Sequence, residues 1–382
     1  MPDPRPADIT LTPLDHRSKA DRNRFIRVAE TVYRDDPNWV ATLDSELHQV
    51  LGPANPFHQH ADLQLWVASR HGKDLGRIAA IADRTHNQEH GERTIFFGFY
   101  ECQQDAAASA ALFDEVAAWG RTRGFNRVRG PMNPSINDEC GLLVDGFERP
   151  PVLMMAYNPR YYADFVEAAG YTKTKDLYAF IIDVAAAPEK RLNHFRDKFA
   201  KRNPEITLRK ITLKSLPEDV PKIKQVYNRA WEKNWAAVPM SDAEIDFLVV
   251  RLKPLLIDGL AWLAERDGEA AGFLLALPDF NSVLQPLRGR LLSLGLFRAL
   301  PYLLGWRRPP IMRLVALGVR REFQGRGVES AMLAGTLAAC QREGFVECEA
   351  SWTLEDNLPV QRMIELFGGR RYKTYRIYDR VL

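Results

Sequence analysis

Two glycines one residue apart, in Gln324-Gly325-Arg326-Gly327, follow an apolar stretch from Met312 to Val319 and precede a helical pattern from Val328 to Arg342. Buried strand, glycine loop, helix start: that order suits an anion. The first backbone N–H groups of a helix lack partners, and its dipole favours negative charge. Glycine lets the backbone come close to a pyrophosphate. No Lys-Ser/Thr pair follows, so this is not a Walker A loop, and the incomplete GxGxxG between hairpin-like strands is not a dinucleotide fingerprint. Glu329 adds a carboxylate at the helix start. Beside a phosphate it costs binding energy unless it points away or meets Arg326.

Other residue sets could move protons. Glu347 and Glu349 share one face of a strand because their spacing is two; Glu355 and Asp356 follow them. In the first half, Asn133, Ser135, Asn137, Asp138 and Glu139 crowd a polar run after a strand. Such a run at a sheet opening suits substrate binding, with Asn133, Ser135 and Asn137 as contacts and Asp138 or Glu139 as proton acceptor; the same residue types are also good turn formers. His58 and His60 could offer two ligands from one strand face, but with no third ligand nearby the expectation is a solvated loop and no metal.

The glycine loop and its surroundings resemble the acetyl-CoA-dependent N-acetyltransferase (GNAT) superfamily. Its signature, Gln/Arg-x-x-Gly-x-Gly/Ala, is matched by Gln324 and Gly327, with Glu329 in the last place. By that resemblance, backbone from Gln324 through Gly325, Arg326, Gly327, Val328 and Glu329 to Ser330 holds the pyrophosphate of acetyl-CoA or another acyl-CoA. Leu317, Gly318 and Val319 pair with the pantetheine arm as an added strand, and Asn357 belongs to the same site. The acyl carbonyl sits where this strand splays from the one at Val346 to Ser351. The resemblance implies direct acyl transfer to an amine, which needs a base or water relay and a donor to the leaving thiolate. Two departures stand out. Glu329 replaces the final Gly/Ala, and Ile364 stands where the family's leaving-group tyrosine is expected, seven residues after Asn357. Tyr375 or Tyr378 on the last strand could substitute, against the plainer reading of packed strand tyrosines.

The elements that must position these residues occur twice. Trp66–Asp83 and Trp262–Asp279 align without a gap at an offset of 262 − 66 = 196, each reading strand, Gly turn, strand. Ile9-Thr10-Leu11 matches Ile211-Thr212-Leu213, and Val32-Tyr33 with Asn38-Trp39 matches Val226-Tyr227 with Asn234-Trp235. Each half ends in a helix, a glycine (Gly170, Gly368) and a strand. The expectation is an α/β fold of two tandem acetyltransferase-like domains, each a mostly antiparallel twisted sheet flanked by helices. Their boundaries are 1–185 for a degenerate first copy without the glycine loop, 186–204 for a helical linker, and 205–382 for the copy that holds the acyl-CoA.

Bulk properties agree with such an enzyme. Net charge is +3, from 52 basic and 49 acidic residues, which argues against broad nucleic-acid binding. The N-terminus has no signal-peptide core, no run approaches a membrane span, and the four cysteines lack metal spacing, so free thiols in a cytoplasmic protein are expected. An insertion from Asn281 to Pro310 holds Arg288, Arg290, Arg298, Arg307 and Arg308 and no acid. It reads as a basic amphipathic helix pair broken at Pro301, suited to an anionic membrane surface or a lipid chain, or as a helix packed over the domain junction with its arginines outward. The acceptor is a small or lipid-like molecule, and the oligomeric state is not legible. Two other readings stay open: a silent binding or regulatory protein, for which Glu329 and Ile364 speak, and a Fem-type aminoacyl-tRNA-dependent transferase.

Overall fold

The computed structural model describes residues 8–290, 296–304 and 306–382. Positions 291–295 and 305 of the arginine-rich insertion, with the first seven residues, lie outside them. In chain order the strands are β1 (Ile9–Leu14), β2 (Ala61–Arg70), β3 (Lys73–Asp83), β4 (Thr94–Cys102), β5 (Arg127–Gly130), β6 (Met132–Asn133), β7 (Glu139–Cys140), β8 (Leu142–Asp145), β9 (Thr172–Asp183), β10 (Ile206–Lys210), β11 (Ala261–Arg266), β12 (Glu269–Pro278), β13 (Ile311–Val319), β14 (Glu347–Leu354) and β15 (Arg370–Val381). The helices are α1 (Lys19–Val32), α2 (Asp44–Leu51), α3 (Arg84–His90), α4 (Ala106–Thr122), α5 (Tyr162–Ala168), α6 (Glu189–Arg202), α7 (Leu216–Trp231), α8 (Asp242–Leu252), α9 (Asn281–Leu284), α10 (Leu296–Leu303), α11 (Val328–Glu343) and α12 (Leu358–Leu366).

The chain forms two compact units. The first takes residues up to Leu177, Leu284–Leu296 and Thr374–Leu382; the second takes Tyr178–Val283 and Phe297–Lys373. In the first, β1 to β4 form an antiparallel meander, β5 joins β4 in parallel, and the end of β15 pairs antiparallel with β5, Tyr378 opposite Gly130. In the second, β10 to β13 repeat the meander, β14 joins β13 in parallel, and β9 lies beside β14. The last strand of each sheet is therefore exchanged. The chain's C-terminus completes the first unit, and Tyr178–Asp183 completes the second. Sequence periodicity reports that a segment is a strand but not which edge it joins.

In each unit the sheet buries one face under a long helix. Helix α11 is apolar all round and buried from Ala331 to Cys340, as a helix covered on several sides must be. It packs against β12 and β13 on one side and against Leu192 and Phe199 of α6 on the other, so the helix after Pro188 belongs to the second unit. Helix α7 covers the opposite face with Val226, Tyr227 and Trp231 against Leu263 and Phe273.

The insertion differs from its expected form. Asn281–Leu284 is a single short helix, and Pro301 lies inside α10 rather than breaking a helix pair. The part that begins at Leu284 belongs to the first unit, where Gly289 O accepts from Asp44 N at 2.9 Å and Arg290 pairs with Glu30 at 2.7 Å. All four cysteines are buried free thiols. Among the described residues no helix is long and apolar enough to cross a membrane, and no cluster suits a metal.

Candidate active site

Strand β13 carries the site. It pairs with β14 only from Ile311 opposite Glu347 to Leu314 opposite Ala350. Against β12 its register slips at Val315, a bulge that bends the strand away from its parallel neighbour. Beyond that point β13 continues to Val319 with β12 on one edge. Among the described residues no strand pairs its other edge there, and the Val319 carbonyl accepts from Gln324 Nε2 at 3.0 Å. An open stretch of strand edge at Leu317, Gly318 and Val319 can take an extended ligand by strand addition. Gly318 is required by its neighbours: a Cβ there would lie 2.8 Å from the Trp231 ring.

After a 3-10 turn at Arg321–Phe323, Gly325 and Gly327 adopt φ of +73° and +89°, the left-handed region that glycine favours. Nothing lies within 4 Å of where a Cβ would stand at either position, so the loop backbone is open to an approaching ligand. Gly327 is the N-cap of α11 and no side chain caps this end. The N–H groups of Val328, Glu329 and Ser330 lie in the first turn, where helix geometry gives them no backbone partner; the Glu329 carboxylate meets its own N–H. Arg326 pairs with Glu205 at 2.7 Å rather than with Glu329, and burial pushes the Glu329 carboxyl above its usual range. These residues fit the pyrophosphate of an acyl-CoA. Asn357 is the N-cap of α12, accepting from Val360 N at 3.4 Å, and Ile364 is buried in the core.

Where β13 and β14 part, Arg313 and Glu349 stand opposite each other, both buried. Their strand neighbours Met312, Leu314, Cys348 and Ala350 pack on the α11 side, so Arg313 and Glu349 point to the α7 face. Glu349 Oε1 accepts from the Tyr372 hydroxyl at 3.4 Å. Oε2 lies 3.7 Å from Arg313 Nε, and the Ser351 hydroxyl also donates to the carboxylate. Burial raises the Glu349 carboxyl to about 7, against the pull of Arg313. A buried carboxyl raised toward neutrality is suited to accept a proton. Glu347, on the same face, is half-exposed two rungs earlier.

The first unit has the same scaffold with each feature closed. The third rung of its parallel pair sets Phe96 opposite Arg129, where the second unit has Arg313 opposite Glu349. Arg129 is bound by Asp379 at 2.8 Å and Glu92 at 3.1 Å, so the base is replaced by a neutralised cation. Asp105 caps α4, accepting from Ala108 N at 3.0 Å, and pairs with Arg70, so a carboxylate of the chain takes the anion position. The freed edge of β4 is filled by side chains. Asn133 Oδ1 accepts from Phe99 N at 2.6 Å, the Tyr162 hydroxyl accepts from Cys102 N at 2.7 Å, and the Tyr161 hydroxyl donates to Cys102 O at 2.8 Å. Segment β6 lies so close that a Cβ at Gly98 would stand 1.7 Å from Met132 O.

Asn133, Ser135, Asn137, Asp138, Glu139, Tyr378, His58 and His60 lie in this first unit, and Glu355 and Asp356 follow β14 in the second. Asn133 serves β4 as described; the Ser135 hydroxyl donates to Asp138 at 2.8 Å and accepts from Asn137 N at 3.1 Å, and Glu139 is in β7. Tyr378 is buried and donates to Glu167 at 3.1 Å. His60 bonds Asp83 at 3.0 Å, while burial holds the His58 ring down at about 4. Sequence reasoning missed Arg313, whose signal was a lone charge in the apolar run Met312–Val319. It also missed the closing roles of Asp105, Tyr161 and Tyr162; Asp105, ahead of an alanine run, reads as a helix cap.

The family described as acetyltransferase (GNAT) matches residues 220–368. A bacterial ceramide synthase of Caulobacter vibrioides is 34% identical over 385 residues, covering 98% of each chain. Protein YghO of Escherichia coli is 32% identical over 375 residues, covering 95% of this chain and 93% of its own. Among solved structures, a tandem GNAT protein from the clavulanic acid biosynthesis pathway superposes with TM-score 0.62 at 12% identity, covering 98% of both chains. A GCN5-related N-acetyltransferase from Sphaerobacter thermophilus superposes with TM-score 0.54 at 15% identity, covering 99% of this chain and 96% of its own. An open strand edge running into an uncapped, glycine-led helix, repeated once in closed form, places the chain in the acetyltransferase (GNAT) family, in its tandem two-domain form.

Proposed function

We propose that the protein is an acyl-CoA-dependent N-acyltransferase that joins a long-chain acyl group to the amine of a long-chain amino alcohol. The observation that carries the chemistry is Glu349: a fully buried carboxylate facing Arg313, where β13 and β14 part. The 34% identity to a bacterial ceramide synthase over nearly the whole chain supports a lipid amine as acceptor. So does the aromatic α7 face, where Tyr227 and Trp231 stand beside Phe273.

Bound acyl-CoA supplies an activated thioester, whose carbon–sulfur bond breaks as the amine nitrogen bonds the acyl carbon, releasing CoA as the thiol. The chain's part is to hold and deprotonate. The Gly325–Ser330 backbone binds the pyrophosphate, and the β13 edge fixes the arm that leads to the splay. Glu349, ionised above about pH 7, takes the proton that the amine loses, directly or through one water. Arg313 stabilises the carboxylate, and Tyr372 orients it. A leaving-thiolate donor at the family's usual place is missing, because Ile364 is a core residue. That favours a second reading, a silent acyl-CoA-binding protein.

The test is incubation of the purified chain with acyl-CoAs of rising length and with long-chain amino alcohols or short amines, read by mass spectrometry of the amide. Amide from the long-chain pair, with matching free CoA, is expected. Binding of acyl-CoA with no amide from any acceptor supports the silent reading, and amide only from acetyl-CoA and short amines contradicts the lipid acceptor.

A further inference from the structure

The second unit carries an apolar surface that its own fold leaves uncovered. Helix α10 and the turn after it expose Phe297 at 77%, Leu300 at 40%, Leu304 at 51% and Trp306 at 75% of their surface. Phe297, Leu300 and Leu304 are spaced three and four apart and lie on one helical face; Ala299, on another, is fully buried and anchors the helix. The Pro301 carbonyl accepts from Trp306 N at 2.8 Å and Arg307 N at 3.0 Å, so the chain turns back and keeps Trp306 within a turn of the helix end. Large apolar side chains concentrated this way mark a contact surface.

The charges around this surface select its partner. Arg298 and Arg307 are exposed beside it, and no Asp or Glu occurs anywhere from Asn281 to Pro310. Arg290 and Arg308, which the sequence alone would add to the basic set, are engaged by Glu30 and Glu343. A short helix with Phe, Leu and Trp on one face and arginine at its margin has the composition of an element lying in a bilayer interface. Tryptophan favours the headgroup level, and arginine meets lipid phosphate.

We infer that Phe297, Leu300, Leu304 and Trp306, with Arg298 and Arg307, dock the second unit on an anionic lipid surface. The inference gains its purpose from the lipid-amine reading above, since acceptor and product of that reaction reside in a bilayer. Vesicle binding is nonetheless read without turnover, so the two fail separately. Detergent-dispersed amine left unacylated by a protein that binds vesicles would sink the reaction and spare the docking.

The experiment is flotation of the full chain with phosphatidylcholine vesicles, with and without phosphatidylglycerol, at low and high salt. The expected result is binding to the anionic vesicles, weakened by salt. Phe297→Ser with Trp306→Ser should lose at least tenfold in binding, with unchanged thermal unfolding and acyl-CoA affinity. Arg298→Gln and Arg307→Gln should each lose roughly fivefold, since one basic side chain near an anionic leaflet adds about that factor. Failure of the wild type to float with anionic vesicles would overturn the inference, as would undiminished flotation of the serine double variant. Self-association of the wild type that the double variant abolishes, without any vesicle binding, would instead make this face an interface between copies.

Discussion

Glu349 is placed against its own stability. Its ordinary value is 4.5 and burial raises it to about 7, so the folded state prefers the proton. Below about pH 4.5 both states are protonated and burial costs nothing in ionisation. Between 4.5 and about 7 the unfolded chain ionises first, so stability falls as pH rises; above 7 the full cost stays, on the order of 3 kcal/mol. Glu349→Gln should therefore unfold at a higher temperature than wild type at pH 8 and show no such gain at pH 4, as scanning calorimetry would read. The same substitution should lower acyl transfer by about 10²- to 10⁴-fold, the usual worth of a general base. Wild-type kcat should rise with pH through about 7 and level off. Glu329 is the second residue in tension with its place. Removing a carboxylate near a bound pyrophosphate relieves about 1 kcal/mol even at water-like screening. Glu329→Gln should tighten acyl-CoA binding several-fold in titration calorimetry; weaker binding would mean that the side chain serves the ligand.

The glycine loop is an element-scale device, and its test is the backbone. Gly327→Ala places a Cβ at a φ of +89°, a strain of about 1–2 kcal/mol for an L-residue. Open space surrounds that position, so the variant should fold, with a modest loss of melting temperature and at least a tenfold loss of acyl-CoA affinity. Unchanged affinity would remove the loop from the binding site. The loop was legible in the sequence because its parts are local: an apolar strand, two glycines and a helix start within twenty residues. The tandem hairpins were legible for the same reason, by Trp66–Asp83 repeating as Trp262–Asp279. What sequence could not give is pairing. Residues 172–183 and 370–381 both read as final strands, yet each unit is completed by the other half's strand segment, a choice made by edges far apart in the chain. Glu349 appeared among rival carboxylates, and its burial and the rung shared with Arg313 separate it from Glu347.

At the scale of the molecule, the two copies leave one open strand edge, in the second unit, and one closed one, in the first. The first unit keeps the meander, the parallel rung and the long helix, but Asp105 takes its anion position and Asn133, Tyr161 and Tyr162 take its strand edge. The chain should therefore bind one acyl-CoA, not two, in titration calorimetry. Asp105→Ala, which removes the helix cap, should cost about 0.5–2 kcal/mol of stability without creating a second binding event, because the side chains along β4 still fill the edge.

The most direct measurement is a single-turnover experiment. Enzyme in excess over radiolabelled long-chain acyl-CoA is mixed with a long-chain amino alcohol, for wild type and Glu349→Gln, with acyl-CoA binding measured on the same samples. Wild type should release amide and CoA in equal amounts, while Glu349→Gln binds acyl-CoA as tightly and forms at most a hundredth of the amide in the same time. Amide formed by Glu349→Gln at the wild-type rate would contradict the assignment of the base, and acyl-CoA held by wild type without any amide would contradict the transferase itself.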